Sequence, residues 1–175
     1  MSVIGRLVRR AASWTAILVL AAIGAPALAQ APLSSAPASF DVAGRSVVLA
    51  VHGVGAQVYE CKPQAGGANG WVFREPIATL VADGKTVGRH YAGPSWALTD
   101  GGLVKAAPQA NAPGATPDDV PLLKLRVTAH PGEGPLAAAA TVLRLNTRGG
   151  ALAGPCATAG ELRAVAYSAD YLFLR

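Results

Sequence analysis

Ile77-Ala78-Thr79-Leu80-Val81-Ala82-Asp83-Gly84-Lys85-Thr86-Val87-Gly88-Arg89-His90-Tyr91 is the stretch that decides the fold. Asp83-Gly84 is a two-residue hairpin signal, because both central positions of a type I′ turn need positive φ. The residues on either side of it are rich in β-branched and aromatic side chains, which suit a pleated, half-buried surface. Residues 77–82 and 86–91 therefore read as an antiparallel pair.

The same grammar continues outward. Upstream, residues 46–51 are a β-branched apolar run. Residues 56–61 alternate, with Val58 and Glu60 on one face and Tyr59 and Cys61 on the other. A glycine loop at 66–70 leads into Trp71-Val72-Phe73, and a further strand resumes after Pro76. Downstream, residues 96–99 run into an Asp100-Gly101-Gly102 turn. Residues 106–121 hold four prolines and read as the longest loop, a length that marks function or mobility. Leu123, Leu125 and Val127 alternate with Lys124, Arg126 and Thr128. Residues 139–146 read as strand, since they lack both an N-cap and a helical stripe. Residues 165–167 and 171–174 close the chain as a hairpin or strand, with Ser168-Ala169-Asp170 as a turn. One short helix is expected between residues 155 and 163. Many short strands with dense Gly and Pro predict an all-β, single-domain β-sandwich or barrel with Gly/Pro-rich loops and at most one short helix.

Residues 1–29 read as a secretory signal. Arg6, Arg9 and Arg10 precede an apolar run, and Ala27-Leu28-Ala29 offers small residues at a cleavage site. The run is shorter than the roughly 20 residues that span a bilayer. Residues 30–39, rich in Ala, Pro and Ser, are expected to be a flexible leader, and residues 40–175 the β domain. Of the 15 Lys+Arg, three lie in the signal, which leaves 12 against 10 acids, or +2. That balance gives no electrostatic case for nucleic acid, and no second long apolar run places the remaining chain in a membrane. Cys61 and Cys156 are the two cysteines. An even count in an exported chain predicts a disulfide. The pair lacks the C-x-x-C spacing of redox or zinc sites.

Several segments carry a resemblance. They are Gly55-Ala56-Gln57-Val58-Tyr59-Glu60-Cys61, Trp71 with Glu75-Pro76-Ile77-Ala78-Thr79-Leu80, and Gly84-Lys85-Thr86-Val87-Gly88-Arg89-His90-Tyr91-Ala92-Gly93-Pro94-Ser95-Trp96. Then follow Val120-Pro121-Leu122-Leu123-Lys124-Leu125, Arg144-Leu145-Asn146-Thr147-Arg148-Gly149-Gly150, Cys156, and Tyr167-Ser168-Ala169-Asp170-Tyr171-Leu172-Phe173. Together they resemble a secreted bacterial and fungal family catalogued as domain of unknown function 3455. Leu122 departs from the pattern, which has an aromatic residue after the proline. The resemblance implies export, a compact β domain and paired cysteines, and carries no catalytic residues. Some fungal relatives bear a malate dehydrogenase label. His52-Gly53-Val54-Gly55 superficially suggests a dinucleotide turn, but Val58 holds the third glycine position and no helix follows to receive a phosphate.

For chemistry, the best candidate is the segment from His90 to Trp96. It joins a strand to a Gly-Pro turn and carries an imidazole and two rings, Tyr91 and Trp96, suited to stacking a sugar or planar ligand. The competing reading makes these rings core residues. Arg148, beside a glycine turn, is a candidate for binding a carboxylate or phosphate. His52, His90 and His130 lack metal-ligand spacing, so no metal is expected. No cofactor signature is present. Ser168, His90 and Asp170 can be written as a triad, but no Gly-x-Ser-x-Gly elbow accompanies them. The expectation is a monomeric, exported binding or structural module of the cell envelope or exterior, taking a small ligand or glycan. A secreted hydrolase using His or carboxylate chemistry is the alternative.

Overall fold

A computed structural model describes residues 32–175; the signal segment read at residues 1–29 lies outside them. Eight antiparallel strands close into one barrel in sequence order: β1 (Val47–Pro63), β2 (Asn69–Ala82), β3 (Lys85–Tyr91), β4 (Ser95–Leu98), β5 (Leu103–Ala112), β6 (Leu122–Ala129), β7 (Thr141–Gly149) and β8 (Leu162–Leu174), with β8 pairing back onto β1. The all-β expectation holds, and of the two architectures the barrel is the one formed. The Asp83-Gly84 turn behaves as read, with φ of 49° and 71°, and joins Ala82 to Lys85 across the β2–β3 ladder.

The barrel interior is apolar at one end. Val51, Leu80, Trp96, Val104, Leu125, Val142, Tyr171 and Phe173 are buried together there. A 3₁₀ turn, Pro135–Ala138, brings Leu136 into the same cluster. This apolar-in arrangement is the reverse of a membrane barrel, whose apolar band faces outward. No helix among the described residues is long and apolar enough to cross a membrane.

A second cluster lies on the outer wall. Leu143, Leu145, Leu172 and Leu174 are buried beneath Phe40, with Leu33, Ala36 and Val42 packed on them. Of the segment read as a flexible leader, residues 30–39, the first two lie outside the described residues, and residues 32–40 pack on this wall. They form two 3₁₀ turns, Leu33–Ser35 and Ala38–Phe40, and Lys124 Nζ donates to the carbonyls of Phe40 and Asp41. The reason is that Leu143, Leu145, Leu172 and Leu174 put an apolar patch on the outer face of β7 and β8, and that patch needs a cover.

Other corrections follow from barrel closure. The runs 46–51 and 56–61 belong to one long strand, β1, which is continuous through His52-Gly53-Val54-Gly55. Those glycines serve close approach and not a phosphate turn. A Cβ on Gly53 would sit 2.7 Å from the Tyr171 ring, and one on Gly55 would sit 2.0 Å from the Ile77 carbonyl oxygen. Ser168-Ala169-Asp170 lies within β8 as ladder residues opposite β1, because the paired strand outweighs the local turn preference. Half of the Pro-rich segment is β5, so the connection shrinks to residues 113–121. The longer connection is residues 150–161, and the short helix expected there is absent. The disulfide takes its place: Cys61 and Cys156 are bonded, with Cα atoms 5.9 Å apart.

Candidate functional site

At the end of the barrel opposite Leu136 the interior is not filled. A cavity of about 430 Å³ opens there, within the range of small-molecule sites. Its walls come from the second half of β1, the first half of β2, the β3–β4 turn, Pro108, the start of β6, and Arg144 of β7. An eight-stranded barrel is just wide enough either to fill with side chains or to hold one small ligand; here one half does each.

The floor is ring-lined. His90 stacks on Trp96 with centroids 4.4 Å apart and planes 7° apart. Tyr171 meets both, at 5.1 Å and 5.5 Å. The pairing of His90 with Trp96 across β3 and β4 puts both side chains inside. His90 Nδ1 bonds the Ser95 carbonyl at 2.9 Å; a carbonyl only accepts, so Nδ1 carries the proton. Burial pushes the His90 pKa down to about 4, against the Ser95 bond and with help from the Arg144 charge. The ring is therefore neutral at pH 7.

Two floor donors are orphaned. Trp96 Nε1 is buried with no hydrogen-bond partner. Gln57, 1% exposed, has its amide next to the Tyr167 hydroxyl, yet its Nε2 completes no hydrogen bond. The Tyr167 and Tyr171 hydroxyls bond each other at 3.1 Å, and burial raises the pKa of both. Tyr59, raised by burial too, donates to the Gly150 carbonyl at 2.7 Å.

The rim is tied down from two sides. Asp119 accepts from Gly149 N at 2.6 Å and from Thr116 N and Oγ1 at 2.9 Å and 2.8 Å. These bonds, led by that from Gly149, hold its carboxyl below the ordinary value and seat Val120 and Pro121 at the mouth. The Cys61–Cys156 bond and the Trp71 N–Gly154 O bond (3.1 Å) fasten residues 150–161 to the β1–β2 end.

Of the four site residues read from sequence, the structure brings His90 and Trp96 together in the cavity floor. Their burial, 4% and 1% exposed, is deeper than a surface stacking platform would need. Tyr91 faces the other way, its ring under the Arg89 guanidinium at 5.1 Å. Arg148 lies outside, in a second depression with Asn146 and Thr147. The sequence reading missed Gln57, Tyr59, Arg144 and Tyr171. Arg144 had a signal: Leu143 and Leu145 flank it in an alternating strand, so a buried outer face sends it inward. Among the described residues no group of three or more His, Cys, Asp or Glu could hold a metal ion.

We find no match to the chain among curated proteins or solved structures. A family model described as "Protein of unknown function (DUF3455)" matches residues 42–175, the whole barrel with its disulfide and cavity, and the chain belongs to that family.

Proposed function

We propose that this protein is an exported binding module that holds one small, largely apolar ligand inside its barrel. The observation that carries the reading is the cavity itself: about 430 Å³, walled by rings, prolines and leucines, in a barrel whose other half is densely packed. The signal-like segment at residues 1–29 and the disulfide both fit an oxidising, extracytoplasmic setting. An interior ligand is favoured over a glycan on a loop surface, because His90 and Trp96 stack on each other within the wall. The hydrolase alternative finds less support at this cavity. None of its lining residues is Asp or Glu, and His90 Nδ1 is committed to a backbone carbonyl.

The test is titration with N-phenyl-1-naphthylamine, a neutral fluorophore that brightens in dry pockets. The expected result is saturable binding of one equivalent, with a rise in melting temperature, since a ligand that binds only the folded state stabilises it. Leu123→Trp, at a half-buried wall position, should fill the space and weaken binding by about tenfold or more, roughly 1.4 kcal/mol. Unsaturable binding, or equal binding by the variant, removes the reading.

A further inference from the structure

We infer that the ligand carries a carboxylate on an apolar body, and that Arg144 is the residue that binds the carboxylate. This deepens the cavity reading above and rests on it.

Arg144 is placed by alternation. Leu143 and Leu145 are buried against the outer cluster, so the residue between them points into the barrel, where it lines the cavity with Tyr59, His90 and Tyr171. Arg144 is half-buried, and its guanidinium sits at the solvent-reached mouth of the cavity, where a ligand can meet it. The pairing inside the chain is incomplete. Nε and Nη2 both donate to the Pro121 carbonyl, at 3.0 Å and 2.8 Å. The guanidinium also reaches the Tyr171 hydroxyl; both partners are neutral, so they fix its plane and leave its charge without a counter-ion. Among the described residues Arg144 forms no ion pair. The other cavity arginine, Arg74, lies 3.2 Å from Glu75, so Arg144 is the cation whose counter-ion is missing.

Its field pervades the site. The Arg144 charge favours the less protonated form of His90, Tyr59, Tyr167 and Tyr171 alike, and three of these, His90, Tyr59 and Tyr171, line the cavity with it. The floor donors agree in kind. Trp96 Nε1 is a donor without an acceptor, and Gln57 Nε2 has at most a weak approach to the Tyr167 hydroxyl; both residues line the same cavity as the guanidinium. A carboxylate supplies acceptors and negative charge together, and arginine's planar fork matches its geometry. The apolar remainder of the wall calls for an apolar remainder of the ligand.

The experiment compares 2-naphthoate with its neutral isostere 2-naphthamide by calorimetric titration of the protein at pH 7.5 and low salt. The carboxylate should bind about tenfold tighter or more, roughly 1.4 kcal/mol of charge-assisted bonding. Arg144→Gln should bring the ratio of the two dissociation constants to within about twofold, and Arg144→Lys should restore part of it, as a charge without the fork. Arg126→Gln, an exposed arginine of β6 outside the cavity, should leave the ratio as in the wild type. Equal affinities in the wild type, or a preference that survives Arg144→Gln, overturns the inference. The wild-type ratio decides the matter even if a variant does not fold. If N-phenyl-1-naphthylamine binds while naphthoate shows no preference, only the carboxylate assignment falls. If neither probe binds, the cavity reading falls with it.

Discussion

His90 lies flat against Trp96, 4.4 Å between centroids and 7° between planes, with its Nδ1–H given to the Ser95 carbonyl. The pair is buried in the floor of the cavity, and the imidazole is held neutral there because burial pushes its pKa from 6.5 to about 4.

A pH dependence follows. The folded pKa is below the unfolded one, so the unfolded chain binds the proton more readily between pH 6.5 and about 4. This group's contribution is therefore fully present above pH 6.5 and lost as pH falls through that window. The shift corresponds to about 3 kcal/mol. Urea unfolding at pH 7, 5 and 4 should show the decline, and His90→Gln, which cannot titrate, should flatten it. The His90 ring protons should titrate in NMR with a midpoint near 4. A midpoint near 6.5 would exclude this origin.

Gly55→Ala should be severe. The added Cβ would meet the Ile77 carbonyl oxygen at 2.0 Å and Ala78 Cα at 2.6 Å, which are backbone atoms of the paired strand and cannot step aside. A loss of about 3 kcal/mol or more is expected in urea unfolding. Gly44→Ala is the contrast. It meets nothing within 4 Å and has φ of 71°, so only backbone strain of about 1–2 kcal/mol remains. Equal costs at the two positions would refute the close-approach account.

Removing the Cys61–Cys156 bond by the double substitution to serine should cost about 4 kcal/mol, because the bond closes a long loop in the unfolded chain. The sequence separation is 95. Thiol assay of the unreduced, denatured protein should find no free thiol, and one free thiol per cysteine would contradict the pairing.

Asp119 gives a second, lower pH window. Bonds from Gly149 and Thr116 depress its pKa below 3.8. Their contribution is present above that value and lost as pH falls through the lower, folded one. The Gly149 amide proton should report a titration midpoint below 3.8. Asp119→Ala should speed amide exchange at Gly149, whose N–H loses its acceptor. Unchanged exchange would show that the carboxylate does not hold the rim.

Much of the strand content was legible locally. Asp83-Gly84 announced its hairpin, since positive φ at two successive positions is a property of those two residues. The alternation of Leu123, Leu125 and Val127 gave the inward face of β6, and the even cysteine count gave the bond. The candidate site was half legible: His90 and Trp96 could be named from their shared turn.

What the local pattern could not convey was which strands become neighbours. Ser168-Ala169-Asp170 has turn chemistry yet lies in β8, because its partner is His52-Gly53-Val54 of β1, more than a hundred residues away. Arg144 and Gln57 face one cavity only because the eighth strand pairs with the first and wraps the sheet on itself. Alternation tells that a residue points to one face or the other; closure decides which face is the inside. Composition and turn chemistry thus determined that this chain forms antiparallel strands, and the tertiary structure alone decided that they enclose a half-filled barrel with an uncompensated arginine at its mouth.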